Sequence, residues 1–162
     1  MRRISLSTLM ILLGGLFWVA LVFAATAYRD RYKGVETSPG VADENTRVGR
    51  TFSGPASGKL DGTFVPSLNY TPPDASPRGT ASIFGGSWTL TTANSSTLFG
   101  SVPQGSIQWS TTARNASVTF DLTITGGTGD FVSIVGGNGS FKGTLNNGDT
   151  PPTLQGQLNL TF

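Results

Sequence analysis

The stretch from Ser117 to Lys142 constrains the fold most, because apolar and polar residues alternate there between clusters of glycine. Apolar side chains occupy every second position of its first part, at Val118, Phe120, Leu122 and Ile124. This period of two predicts a strand with one buried and one solvated face. The glycines within 126–129 and 136–139 predict corners, because glycine reaches positive φ without steric cost. With residues 131–135 as a second strand between these corners, the stretch is typical of a small antiparallel barrel or sandwich.

The rest of the C-terminal two thirds repeats this alternation. Strands are predicted over residues 60–68, 81–92, 106–112 and 154–162, separated by loops over 69–79, 93–105 and 144–152. Gly85 and Gly86 are predicted to mark a bulge. Roughly six to eight such strands are most economically closed into a barrel, because closure removes exposed edges. The predicted fold class is therefore all-β, with a small antiparallel β-barrel over residues 59–162.

The N-terminal stretch carries no charge between Arg3 and Arg29. As a helix, residues 4–27 would be about 36 Å long, enough to cross a hydrocarbon core of about 30 Å. We therefore predict one transmembrane helix, or an uncleaved signal anchor, over residues 1–28. Residues 29–58 show almost no periodicity and are predicted to form an exposed juxtamembrane linker.

The predicted helix offers two kinds of contact to the membrane and to partner helices. Small residues allow close helix approach, and aromatic residues suit an interfacial belt. The residues predicted to make these contacts are Gly14, Gly15, Trp18, Tyr28 and Tyr32.

A cleavable signal peptide is the alternative interpretation of the same segment. Ala25-Thr26-Ala27 has the small-x-small form of a cleavage site, and a basic start at Arg2 and Arg3 precedes it. The uncharged stretch exceeds the roughly 7–15 apolar residues of an ordinary signal, which favours a retained anchor.

The positive charges on the two sides of the stretch are nearly balanced, so they do not by themselves set its orientation in the membrane. We expect the β domain on the periplasmic or extracytoplasmic side, because hydroxyl-rich β domains without histidine or cysteine are typical of exported proteins.

Charge distribution argues against nucleic acid as a partner. The net charge is +2, but residues 1–50 carry +3 and residues 51–162 carry −1. A nearly neutral β domain lacks the basic surface that phosphate backbones require. The chain has no cysteine, so no disulfide framework exists.

The turn after the central strand carries a family resemblance. Residues 124–131 read Ile-Thr-Gly-Gly-Thr-Gly-Asp-Phe and are followed by Gly137, Gly139, Phe141 and Gly143. This pattern resembles the allene oxide cyclase-like barrels and the related dirigent proteins, which have a similar Ile-Thr-Gly-Gly-x-Gly-x-Phe turn. The resemblance implies an eight-stranded antiparallel barrel with a central cavity, often assembled as a trimer. The matching residues are structural in that family, so the resemblance implies no catalytic residue here.

Catalytic chemistry has few candidates in this chain. There is no histidine, and the β domain contains no glutamate. Most of its aspartates stand beside glycine or proline, a context typical of turns. An inward-facing Asp121 with Lys59, Lys142 or Arg114 would be the best catalytic arrangement, although the strand pattern places Asp121 on the solvated face. We therefore predict no enzyme activity, no cofactor and no metal site.

Three functional hypotheses follow. The first is a non-catalytic, membrane-anchored barrel that acts as an accessory or stabilising subunit of a larger membrane protein complex, of which photosynthetic and respiratory complexes are examples. The second is a small-molecule-binding or isomerase-like barrel with an apolar cavity. The residues predicted to line that cavity are Phe64, Trp88, Trp109, Phe120 and Phe141; core packing is the alternative role of the tryptophans. The third is a secreted structural or adhesive module released by cleavage after Ala27.

Overall fold

A computed structural model describes residues 25–72 and 74–162 of the chain. The described chain forms ten strands: β1 (Ala27–Ser38), β2 (Val41–Ala42), β3 (Arg47–Gly58), β4 (Gly62–Thr71), β5 (Thr80–Thr92), β6 (Thr97–Ser101), β7 (Gly105–Trp109), β8 (Asn115–Gly127), β9 (Gly137–Asn146) and β10 (Thr153–Thr161). A single 3-10 turn, Gly129–Phe131, follows β8. The predicted all-β class is confirmed.

The strands close into an eight-stranded antiparallel barrel. β1 closes the ring because it pairs with β10 on one side and with β3 on the other. β6 and β7 lie end to end in one strand position between β5 and β8. The two-residue β2 pairs with β3 beside the ring. The predicted antiparallel barrel is thus confirmed, with the eight strands that the family resemblance implied.

The barrel has two distinguishable ends. The N-terminal end contains the start of β1, the turn between β3 and β4, and the connection between β8 and β9. The Thr26 N–H donates to the Phe162 carbonyl oxygen at 2.9 Å there, so both ends of the described chain lie at this end. The distal end contains the β1–β3, β4–β5, β7–β8 and β9–β10 connections. These two names are used below.

Alternation along β8 shows how the core forms. Ala116, Val118, Phe120, Leu122 and Ile124 are buried, and the residues between them are exposed. The strand therefore turns one face into the barrel and the other to solvent, as its sequence predicts. The bulge predicted at Gly85 and Gly86 is also present, since the register between β4 and β5 shifts beside them.

The predicted linker over residues 29–58 is wrong. These residues lie mainly in β1 and β3, two 12-residue strands of the closed ring. The inward positions of these strands hold polar and small residues as well as aromatics, which hides the period of two in the sequence. The inward residues include Asp30, Tyr32 and Gly34 on β1 and Arg50, Phe52 and Ala56 on β3.

Two shorter segments also differ from prediction. Residues 131–135 do not form a strand, because the Val132 N–H bonds to Gly129 and the Ile134 N–H bonds to Phe131 in successive tight turns. Thr97–Ser101, predicted as part of a loop, forms β6. The helix predicted for residues 1–28 falls mostly on residues 1–24, outside the described chain. Nowhere in residues 25–72 and 74–162 is there a helix with the length and apolarity needed to cross a bilayer.

A buried carboxylate holds the turn between β3 and β4 at the N-terminal end of the barrel. Asp30 on β1 is buried, and its Oδ1 accepts the backbone N–H of Lys59 at 2.5 Å and that of Leu60 at 3.3 Å. These two amides belong to the turn between β3 and β4. Asp30 therefore fixes that turn to β1 by satisfying two backbone donors that the ladder leaves free.

A pair of facing glycines makes room for a core ring between β9 and β10. Gly143 and Gly156 are directly opposite in the ladder, and a Cβ on either would lie 2.8 Å from the Phe141 Cζ. A Cβ on Gly143 would also lie 2.1 Å from the Gln155 carbonyl oxygen. Side chains at this pair would therefore collide with backbone as well as with the ring.

Gly143→Ala is expected to lower the free energy of unfolding by about 1–3 kcal/mol, because the methyl group overpacks the interior. Gly85→Ala is the matched control on β5, where the nearest atom to an added Cβ is the Asn69 Nδ2 at 3.5 Å. Its expected change is within about 0.5 kcal/mol. Urea unfolding measures both, and equal losses in the two variants would contradict the packing described here.

Candidate functional site

The five residues predicted to line a cavity form part of the packed core. Phe64, Trp88, Trp109, Phe120 and Phe141 are each 3% exposed or less. The Phe120 and Phe141 rings stack with centroids 4.8 Å apart, and the Phe64 and Trp88 rings lie 6.0 Å apart. The Trp88 Nε1 donates to the Thr123 carbonyl oxygen at 3.3 Å. These contacts are those of interior packing and give no evidence of an open apolar lumen.

Tyr32 does not occupy the interfacial position predicted for it. The period of two along β1 turns its side chain into the barrel. There its ring centroid lies 5.2 Å from that of Phe64 and 5.9 Å from that of Phe141, with the ring planes nearly perpendicular. Tyr28 is half-buried at the N-terminal end and stacks on Phe162 with centroids 4.7 Å apart. Gly14, Gly15 and Trp18 lie outside the described residues.

The Tyr32 hydroxyl is buried without a hydrogen-bond partner among residues 25–72 and 74–162. It lies over Gly34, where an added Cβ would be 2.0 Å from the Oη atom. Burial raises the pKa of the Tyr32 hydroxyl, because the phenolate cannot be solvated inside the barrel. Tyr32 therefore acts as a neutral core residue.

The candidate site is a depression of about 290 Å³ at the distal end, called here the distal cup. It lies between the ends of β1, β4 and β7, the start of β3 and the connection after β9. Its polar and aromatic lining consists of Glu36, Arg47, Arg50, Tyr70, Asp74, Trp109 and Asn147.

A buried arginine organises the floor of the distal cup. The Arg50 Nε donates to the Glu36 Oε1 at 2.6 Å, Nη1 to the Tyr70 hydroxyl at 3.1 Å and Nη2 to the Asn147 Oδ1 at 2.8 Å. The guanidinium carbon also lies 5.2 Å from the centre of the Phe52 ring. One planar cation thus joins three separate elements to β3, which fixes their side chains in place.

The rim of the distal cup carries a second ion pair. The Arg47 Nη2 lies 3.5 Å from the Asp74 Oδ1, and Nη1 donates to the Pro39 carbonyl oxygen at 2.8 Å. The two arginines and the two carboxylates of the cup balance in formal charge. Such a surface favours polar contacts of low net charge over a highly charged ligand.

Trp109 lines the distal cup and supplies an unused donor. Its side chain is buried, and its Nε1–H has no hydrogen-bond partner in the part of the chain that the structure describes. Buried polar groups are normally paired, so such a donor calls for an explanation. Because the atom is covered by the surrounding residues, it is not accessible from the cup in this structure.

The alternative of an inward-facing Asp121 with Lys59, Lys142 or Arg114 is not found in the structure. Asp121 is exposed on the outer wall, as predicted, and accepts a hydrogen bond from the Gln104 Nε2 at 2.8 Å. Lys142 lines the same shallow groove of about 480 Å³. Lys59 lies at the N-terminal end and Arg114 at the distal end, so neither joins them. Within the described ranges, no three acidic or metal-ligating side chains cluster to hold a cation.

Apart from Trp109, the polar and aromatic residues of the distal cup were not predicted as site residues, because they fell in the predicted linker or in the predicted loops over 69–79 and 144–152. Glu36, Arg47 and Arg50 all belong to residues 29–58. On β3, the buried residues Arg50 and Phe52 stand two positions apart, as expected for one face of a strand. That short alternation was the available signal, but a charged residue at its start conceals it.

Comparison with protein-family models, curated proteins and solved structures found no match to this chain.

Glu36→Gln is expected to destabilise the protein by about 3 kcal/mol, because it leaves the buried Arg50 charge without its counter-ion. Asp74→Asn is the matched control at the exposed rim, where loss of the pair costs less than about 1 kcal/mol. Denaturant unfolding of both variants measures the difference. A loss from Glu36→Gln no larger than that from Asp74→Asn would contradict the buried pair.

Tyr32→Phe is expected to leave stability at neutral pH unchanged or slightly higher, because the hydroxyl it removes has no partner. Since the folded-state pKa of Tyr32 lies above the unfolded value of about 10, ionisation of the unfolded chain lowers stability as pH rises beyond about 10. The variant should lose less stability between neutral pH and about pH 10.5, as urea unfolding can measure.

Tyr70→Phe is the control for this substitution. Its hydroxyl accepts a hydrogen bond from Arg50, so its loss should cost about 1.5–3 kcal/mol at neutral pH. A Tyr32→Phe variant as destabilised as Tyr70→Phe would show that the Tyr32 hydroxyl has a partner.

Proposed function

We propose that this protein is a membrane-anchored, extracytoplasmic β-barrel that acts by binding, as an accessory or stabilising subunit of a larger membrane protein complex. The uncharged N-terminal stretch supplies the anchor, and the barrel supplies the contact surfaces. The Ile-Thr-Gly-Gly turn resembles that of allene oxide cyclase-like barrels. We propose that the two share the barrel architecture and not the enzymatic activity.

The observation that carries the proposal is the position of the distal cup relative to the N-terminus. The chain enters the barrel at the N-terminal end, where Thr26 bonds to Phe162. The cup lies at the opposite end, between Ser38 and Arg47 on one side and Trp109 on the other. An anchor before Thr26 would therefore hold the cup facing away from the bilayer, towards extracytoplasmic parts of a partner.

The chemistry of the distal cup suits a protein contact. Arg50 and its three partners hold the floor rigid, so little side-chain entropy is lost on binding. The buried Trp109 side chain lines the cup beside Arg50 and Tyr70. Tryptophan, tyrosine and arginine are all enriched at the energetic centres of protein interfaces.

The alternative functions predict other observations. A small-molecule-binding or isomerase-like barrel needs an open interior, whereas the five aromatic residues proposed for its lining all belong to the buried core, with Trp109 at its distal end. A secreted module would lose residues 1–27, and N-terminal sequencing of the mature protein distinguishes it from an anchored subunit.

Membranes that contain the full chain, solubilised in mild detergents and separated on native gels, test the proposal. The protein is expected to migrate with partner subunits in a complex much larger than its own 16.9 kDa. Migration as a free monomer in every mild detergent would overturn the accessory role.

Asp74→Lys tests the distal cup within that complex. This rim residue is 86% exposed, so the variant should fold. The lysine breaks the charge balance of the cup and should lower the co-migrating fraction several-fold. Asp121→Lys reverses an exposed charge on the outer wall and is the matched control. Equal effects of the two substitutions would show that the cup is not the contact surface.

A further inference from the structure

An exposed apolar loop projects from the N-terminal end of the barrel. Val132 is 76% exposed and Val135 is 95% exposed, and both lie between the 3-10 turn and β9. Their neighbours Phe131 and Ile134 turn the other way and pack against the core. Residues 132–135 are called the apex loop below.

The apex loop is held in place at its N-terminal side. The Thr128 N–H donates to the Thr97 carbonyl oxygen at 2.7 Å, and the Asp130 N–H donates to the Ser96 Oγ at 3.0 Å. The Asn94 amide also bonds to the Asp130 carboxylate. The valines are thus presented to the outside by a bonded turn.

The apex loop stands beside the point where the chain enters the barrel. The ring centroids of Phe131 and Phe162 are 6.1 Å apart, with the ring planes nearly perpendicular. Phe162 in turn exchanges two backbone hydrogen bonds with Thr26. The uncharged N-terminal stretch runs as far as Tyr28. Its last residues, Ala27 and Tyr28, are already paired in β1, so no linker separates the stretch from the barrel.

We propose that the apex loop inserts into the surface of the lipid bilayer, with Val132 and Val135 among the headgroups and upper acyl chains. This inference rests on the proposed membrane anchor. If the N-terminal stretch occupies the bilayer, its direct continuation into β1 holds the N-terminal end of the barrel against the membrane surface. Among the described residues of that end, the two valines are the most exposed large apolar side chains.

The contact acts through tethering rather than through its own strength. Two valine side chains bury little apolar area, so they would bind a membrane weakly by themselves. The anchor makes the contact intramolecular and raises its effective concentration. A second attachment point beside the anchor fixes the tilt of the barrel and keeps the distal cup directed away from the membrane.

Single-cysteine reporters test this proposal cleanly, because the natural chain has no cysteine. The full chain carrying Val132→Cys or Val135→Cys is labelled with a polarity-sensitive fluorophore and reconstituted into phosphatidylcholine vesicles. Val41→Cys is the matched control, since Val41 is 77% exposed but lies at the distal end. Vesicles with and without a nitroxide quencher on the upper acyl chain are compared.

The apex-loop reporters are expected to show blue-shifted emission and to lose most of it in quencher vesicles, while the Val41→Cys reporter stays solvent-like and unquenched. Emission like that of the control would overturn the proposal. A blue shift without lipid quenching would also overturn it, because it would show protein covering the loop. Vesicle flotation separates the two claims: protein that fails to float contradicts the anchor, and floating protein with unquenched loop reporters contradicts only the loop contact.

Discussion

The pairing of β1 with both β10 and β3 is the interaction on which the rest of this structure depends. Without it, β3 and β10 would be open edges, and the ring would not close. The same strand contributes Asp30 to the N-terminal end, Tyr32 to the core and Glu36 to the distal cup. Closure, packing and the candidate site therefore all require residues 27–38 to be a strand.

Closure also gives the two ends of the barrel different chemical surfaces. At the N-terminal end, Thr26, Phe162 and the apex loop with its exposed valines come together. At the distal end, Arg50 gathers polar groups from three elements around a buried tryptophan. A packed interior between them leaves the ends and the outer wall as the surfaces for recognition. This division supports the proposed binding function, directed away from the proposed anchor.

The sequence predicted those parts of the fold in which local pattern and tertiary environment agree. β8 was predictable because its inward residues are all apolar. β1 and β3 were not, because Asp30 and Arg50 occupy inward positions and take their partners from distant parts of the chain. The bond from Arg50 to Asn147 joins residues 97 positions apart, and no local pattern reveals it. The sequence of residues 131–135 predicts a strand because its apolar residues resemble a buried run, although Val132 and Val135 are exposed.

Amide hydrogen exchange of the full chain in lipid vesicles tests the central claim most directly. If β1 closes the barrel, the amides of Arg31 and Lys33 should be protected to a degree comparable with those of the central residues of β8. Rapid exchange throughout residues 29–38, with β8 to β10 still protected, would show that this segment is an exposed linker. The closed barrel, the distal cup and the position of the apex loop would then all be contradicted.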